Sequence, residues 1–224
     1  MKKIYINPGH SDKDPGAVGY ETERKLNVKV AQYESEYLLE NYEGVETKIG
    51  SSDNLMNVIT EANAWGADLF DSKHFNAGEG DGYEGHVYNE ERVSLGEIYA
   101  KYVQEAGQNL RLYGAAPGVK INPNLAVLKH TNMAAILTEG AFVDNLKDIQ
   151  DWNDDAELKK LGIAYAKAAA EFLSLEKKVQ PKTAYYVHYG TTLGPFADQK
   201  IADELVAVLK AAGYTDAGIT ESKG

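Results

Sequence analysis

Lys3-Ile4-Tyr5-Ile6-Asn7-Pro8-Gly9-His10 is the stretch from which the fold can be read. A short apolar run is stopped by Pro8-Gly9, and a histidine follows at once. Open α/β sheets gather their functional side chains where strands give way to loops, so this run predicts a first strand with His10 just beyond its end. Working outward, Leu26, Val30, Tyr33 and Tyr37 recur at steps of 4, 3 and 4, the spacing of one helix face. Gly44 precedes an alternating run at 45–49, the second expected strand. Asp53 reads as the N-cap of a helix with Leu55, Val58, Ile59 and Ala62 on one face, broken at Gly66-Ala67. Residues 68–74 read as a third strand that delivers His74. Gly78, Gly80, Gly82 and Gly85 mark a loop, and a long helix is expected over 90–112. Residues 125–128 and 134–138 read as two more strands, the second with Glu139 at its end. Asp154-Asp155-Ala156-Glu157 resembles a capping box and opens a helix with Leu158, Leu161, Tyr165, Ala168 and Phe172 on one face. Strands alternating with helices predict an α/β fold: a mostly parallel sheet flanked by helices on both faces.

The chain has 224 residues, enough for one ordinary domain and a small addition. It has no Cys, so a metal site must be built from His and carboxylates. No stretch reaches the roughly 20 apolar residues of a membrane span, so no membrane partner is expected. The two lysines after Met1 lead into no long apolar region, and the expectation is a protein made in the cytoplasm without a signal peptide. Net charge is -11, from 23 Lys+Arg against 34 Asp+Glu, which argues against a nucleic-acid partner. The charge is uneven. Residues 178–224 carry five lysines and five acids, so the acidity resides in the preceding part.

His10, His74 and a Glu in the 21–23 region could meet on one metal. Two His and one carboxylate leave an open position on a tetrahedral zinc, the pattern of a hydrolytic site. The residues alone leave Glu21 and Glu23 open, and His86 is the main competitor among the histidines. The expected third strand has Phe70, Ser72 and His74 on one face and Asp71 and Lys73 on the other. That polar face implies either solvation on an edge strand or an Asp71–Lys73 pair. Glu139 follows the apolar run Ala134-Ala135-Ile136-Leu137, so burial should raise its pKa, as proton transfer near neutral pH requires.

Four segments in order carry a family resemblance. They are Gly9-His10 in a stretch ending Asp14-Pro15-Gly16-Ala17, Glu23 four residues before Asn27, Ser72-Lys73-His74-Phe75-Asn76-Ala77, and Leu137-Thr138-Glu139-Gly140-Ala141-Phe142-Val143-Asp144-Asn145. This pattern resembles the zinc-dependent N-acetylmuramoyl-L-alanine amidases of the amidase-3 type over about the first 175 residues. The resemblance implies Zn²⁺ held by His10, Glu23 and His74, with Glu139 as the catalytic acid/base. It matches Asn76 to a family Asn that would position substrate or shape its loop. It also implies peptidoglycan, glycan strand and stem peptide, as the partner. Two rivals stand beside it. A carboxypeptidase would need a cationic clamp, and only Arg24 lies next to a motif. The other is a non-catalytic wall-binding protein. An enzyme without a signal would act on the wall after release, as a phage or prophage endolysin does, or else as a sporulation mother-cell autolysin.

The expected organisation is a catalytic domain at 1–175, a linker at 176–182 and a small C-terminal β-α-β unit at 183–224. That unit resembles half of a SPOR-type wall-binding repeat, through Tyr185-Tyr186-Val187 and Leu209-Lys210-Ala211-Ala212-Gly213-Tyr214. Half a repeat could complete its sheet by self-association. Tyr185, Tyr186 and Tyr189 could stack on sugars or fill the unit's own core.

Overall fold

The opening run forms β1 (Lys2–Pro8), next to the edge of a six-stranded sheet. With β2 (Val45–Ile49), β3 (Leu69–Asn76), β4 (Glu84–Val87), β5 (Val119–Ile121) and β6 (Ala134–Phe142), the order is β2-β1-β3-β6-β4-β5. All pairings are parallel except β4 with β6. The computed structural model describes every residue except 51, 179–182, 189–190 and 224, and its two compact units are Met1–Lys178 and Val179–Gly224.

Alternation along the strands sorts the core into two layers. Ile4, Ile6, Leu69 and Ile136 join a large cluster with α1 (Glu23–Asn41), α3 (Val93–Glu105) and α6 (Asp155–Phe172). Tyr5, Phe70, Ala135 and Leu137 face the other way, into a smaller cluster with α2 (Leu55–Trp65) and α4 (Ala126–Lys129). α6 starts as its sequence predicts, with the Asp154 side chain accepting from the Glu157 N–H at 2.9 Å. A further short helix, α5 (Leu146–Ile149), follows β6.

Several boundaries differ from the sequence expectation. The cap of α2 is Asn54, which accepts from the Met56 N–H, while Asp53 pairs with Lys13 instead. The helix expected over 90–112 is a 3-10 turn at Glu90–Arg92 followed by α3, which stops at Glu105; Gly107 then takes φ +108. The apolar run at 125–128 is not a strand but the start of α4. So short a run has no period that separates strand from helix. β4 lies where only loop was expected, and β5 was not foreseen; both have four residues or fewer.

β3 is central, not an edge strand, and its polar face is paired. Lys73 Nζ lies 2.9 Å from Glu34 Oε2 and also contacts Asp71, whose carboxylate accepts from Tyr99 Oη. The ammonium sits 4.0 Å from the Tyr165 ring centroid. Burial, and then the negative charge of Asp71, hold the Glu34 carboxyl well above the usual range; Lys73 acts against both.

The C-terminal unit contains β7 (Thr183–His188), β8 (Thr192–Phe196), α7 (Gln199–Ala211) and β9 (Gly218–Lys223), with antiparallel order β8-β7-β9. The β-α-β expectation therefore gains a hairpin strand, β8. Val187, Ala202 and Ala217 form its buried interior. Tyr185 shares the face of Val187 and Tyr186 the opposite one; Tyr189 lies outside the described residues. Of the stretch expected as linker, 176–178 pair with the end of α1: the Glu43 N–H donates to the Glu176 carbonyl, and the Lys178 N–H to the Asn41 carbonyl, both at 2.8 Å. Residues 179–182 lie outside the described residues.

Candidate metal centre and its neighbouring carboxylates

β1 ends at Pro8, β3 carries His74 near its end, and α1 begins with Glu23, so three elements deliver three side chains to one point. His10 Nε2 lies 3.0 Å from Glu23 Oε2, and His74 Nδ1 lies 2.7 Å from Glu23 Oε1. One donor atom from each residue falls within 4.8 Å of the others. Glu21 does not join them; it pairs with Lys25 at 2.8 Å.

The surroundings hold these groups in place. The Ala17 N–H donates to Glu23 Oε2 at 2.8 Å and the Phe75 N–H to Oε1 at 3.3 Å. Burial alone would raise the Glu23 pKa. Hydrogen bonding and charge from His74, the Ala17 amide and His10 outweigh it and keep the group below its ordinary value. His10 Nδ1 bonds Asp14 Oδ2 at 2.8 Å, which fixes the ring and turns Nε2 toward the site. The turn at His10 is carried by the histidine itself, at φ +64, a region uncommon for residues with a Cβ. Gly9 is needed for a different reason: a Cβ there would stand 2.2 Å from the His74 ring. Asn27, one helical turn after Glu23, donates to the Gly9 carbonyl at 3.3 Å, which gives the Glu-x-x-x-Asn spacing its physical meaning.

Two nitrogen donors and a carboxylate kept ionised suit Zn²⁺, and ring-filling space is reserved at Gly9 and at Gly16, where a Cβ would meet Glu23 Oε2 at 2.5 Å. The residues present fit the metal.

Glu139 lies inside β6, with the strand continuing to Phe142. In register it stands beside His74 of β3 on one side and Glu84 of β4 on the other, so His74, Glu139 and Glu84 form a row across one sheet face. Glu139 Oε2 is buried with no hydrogen-bond partner. Burial first, then the charges of Glu23 and Glu84, push its carboxyl well above the usual range, against a smaller opposing pull from Lys120. Glu84 behaves oppositely. Burial works against ionisation, but His86, Tyr113 and Lys120 together bring it down to about 2.

Asn76 Nδ2 is 3.4 Å from Glu84 Oε2, and Asn76 Oδ1 accepts from the Ala77 N–H. The glycine-rich loop after it is held from the segment beyond β6. Asp144 accepts from the N–H groups of Gly78 and Glu79, and Asn145 donates to the Gly80 carbonyl. Buried Asp148 accepts from the Gly82 and Phe142 N–H groups. His86, the competing histidine, is buried beside Glu84 at 3.5 Å and is not one of the three residues whose donor atoms converge. His130 is exposed, and His188 bonds Thr192 within the C-terminal unit. Sequence reasoning missed Glu84, Arg111, Tyr113 and Lys120. Arg111 Nε lies 2.5 Å from Glu84 Oε1, so a second arginine besides Arg24 reaches the neighbourhood of the motifs. Only the register of β4 against β6 reveals it.

Residues 4–171 match the amidase-3 family, described as N-acetylmuramoyl-L-alanine amidase. The sporulation-specific N-acetylmuramoyl-L-alanine amidase of Bacillus subtilis (strain 168) is 30% identical over 219 residues, covering 96% of this chain and 83% of that protein. An endolysin of Bacillus phage SPP1 is 30% identical over 184 residues, covering 79% of this chain and 68% of that protein. The solved catalytic domain of CwlV, an N-acetylmuramoyl-L-alanine amidase from Bacillus (Paenibacillus) polymyxa var. colistinus, shares the fold. Its TM-score is 0.70 at 24% identity, covering 79% of this chain and 100% of that one.

Proposed function

The chain belongs to the amidase-3 family of N-acetylmuramoyl-L-alanine amidases, and from that premise we propose that it cleaves the bond between the lactyl group of N-acetylmuramic acid and L-alanine in peptidoglycan, using zinc on His10, Glu23 and His74. The observation that carries this reading is the convergence of those three donors on one point, with Glu139 one strand away on the same sheet face. When bound, zinc supplies a Lewis acid for the amide carbonyl and lowers the pKa of water. Glu139 accepts the proton of the attacking water at its carboxylate and returns it to the leaving nitrogen of alanine. Burial raises its pKa in the metal-free site, the direction that return of the proton to the leaving nitrogen calls for. Asp14 keeps His10 oriented, and the Ala17 and Phe75 amides keep Glu23 in place.

The biological setting is a proposal of its own. The sporulation-specific relative aligns over 96% of the chain and the phage endolysin over 79%, which favours an autolysin-like role over the endolysin role. In either setting the enzyme acts on the wall after leaving the cytoplasm. The SPOR-like pattern of the C-terminal unit supports a glycan-contacting role for it, with self-association through its sheet as a further proposal. The test of the zinc reading is removal and return of metal. Chelation should abolish release of new L-alanine amino groups from purified peptidoglycan, and stoichiometric Zn²⁺ should restore it; full activity in the metal-free protein would sink the reading.

A further inference from the structure

Glu139 has two sides, and they differ in charge. On the β1 side, the cleft beside His10 and His74 is lined by Leu55, Val58, Leu125 and Val127 and by the acids Asp14 and Asp53, with no cation among its described lining residues. On the β4 side, Glu84 holds Arg111 and Lys120. Arg111 Nε is 2.5 Å from Glu84 Oε1, and Lys120 Nζ is 3.0 Å from Glu84 Oε2. Both cations brace on Tyr113, with Arg111 Cζ 4.5 Å and Lys120 Nζ 4.6 Å from its ring centroid. Arg111 also lies 4.9 Å from the Phe142 ring centroid. Their side chains stay 21% and 33% exposed, while Glu84 is 4% exposed. Two cations on one ionised carboxylate leave a net positive charge in a chain whose total is -11.

We propose that Arg111 and Lys120, positioned by Glu84, form a subsite for a carboxylate on the leaving stem peptide, so that the peptide crosses β4 and β5 and the acyl side of the bond points toward β1. This rests on the amidase reading and deepens it. The group that protonates the leaving nitrogen fixes the direction: Glu139 lies between the metal centre and β4, so the peptide departs over β4. A carboxylate placed the other way would meet Asp14, held by His10, and Asp53, which already holds Lys13. Arg111 keeps a planar guanidinium suited to a carboxylate, and Lys120 adds a point charge.

The test uses two N-acetylmuramoyl-L-alanyl peptides with amidated C-termini, differing only in a carboxylate or a carboxamide on the residue after alanine. Wild type should favour the carboxylate through KM by about tenfold at low salt, and less as salt is raised. Arg111→Gln and Lys120→Met should each erase most of that preference through KM. Arg111→Lys and Lys120→Arg, which keep the charge, should retain part of it. Equal handling of the two substrates by wild type, or equal losses on both in the variants, would overturn the subsite. If wild type cleaves neither, the amidase reading fails separately. Calorimetry with the two corresponding L-alanyl peptides then decides: carboxylate-selective binding lost in Arg111→Gln upholds the subsite, and binding without selectivity, or none, rejects it.

Discussion

Replacing Gly9 by alanine should disable the metal centre and leave the fold standing. The added Cβ would lie 2.2 Å from His74 Cε1 and Nε2 and 2.8 Å from Cδ2. Carbon atoms pack at about 3.5 Å, so the ring would have to retreat by roughly 1.3 Å. The backbone at Gly9 cannot yield instead, because its N–H donates to the Lys73 carbonyl at 2.9 Å and its carbonyl accepts from Asn27 at 3.3 Å. Metal–ligand distances tolerate about 0.2 Å, so the retreat removes His74 as a ligand. Zinc affinity should fall by at least ~100-fold. Activity at saturating zinc should fall by on the order of 10² as well, the cost of misplacing a reacting group by about 1 Å. Gly9 is not among the glycines with positive φ, so alanine is compatible with its backbone. Unfolding in urea without metal should shift by no more than about 1 kcal/mol. The assay is zinc competition against a chromophoric chelator, with urea unfolding of the metal-free protein alongside. Zinc binding within about threefold of wild type would refute the argument that Gly9 exists to make room for His74.

Two further changes probe the supports of the site. Lys73→Met leaves Asp71 and Glu34 buried without their cation and should cost about 3–5 kcal/mol, read as a fall in Tm of more than ~6 °C. Glu34 already has a raised pKa, so the folded state holds a proton that the unfolded state releases above the ordinary carboxylate range. Stability conferred by that proton is lost as pH rises, and the deficit should be larger at pH 8 than at pH 5; a deficit that shrinks with rising pH would contradict this. Asp14→Asn removes the carboxylate that orients His10 and should weaken zinc binding by about tenfold with little change in unfolding. An unchanged zinc affinity would show that Asp14 is not needed.

The parts of the fold that the sequence made legible are those with long periods or strong punctuation. β1 ends at Pro8 as its run predicts, α1 follows Leu26, Val30, Tyr33 and Tyr37, and α6 starts at its Asp154 cap. His10 and His74 could be read because each stands at the end of a recognisable strand, whereas only the family resemblance separates Glu23 from Glu21; in the structure it is Glu23 that lies with the two histidines. What could not be read depends on pairing across the sheet. β4 and β5 are too short to have a period, and the row from His74 through Glu139 to Glu84 exists only through register. The polar face of β3 looked compatible with an edge strand. Its partners Glu34, Tyr99 and Tyr165 lie on helices remote in sequence, so local spacing could not reveal the buried charge cluster that surrounds it.

The central claim is that Glu139 handles the proton in amide hydrolysis at the His10, Glu23 and His74 centre. It is tested most directly by scoring new L-alanine amino termini released from purified peptidoglycan by wild type and Glu139→Gln, with zinc affinity measured on both proteins. The account predicts that wild type generates these termini and that Glu139→Gln binds zinc as wild type does but is slower by about 10²–10⁴-fold. Wild-type rates in Glu139→Gln, or wall treatment that yields no new L-alanine termini with either protein, would contradict it.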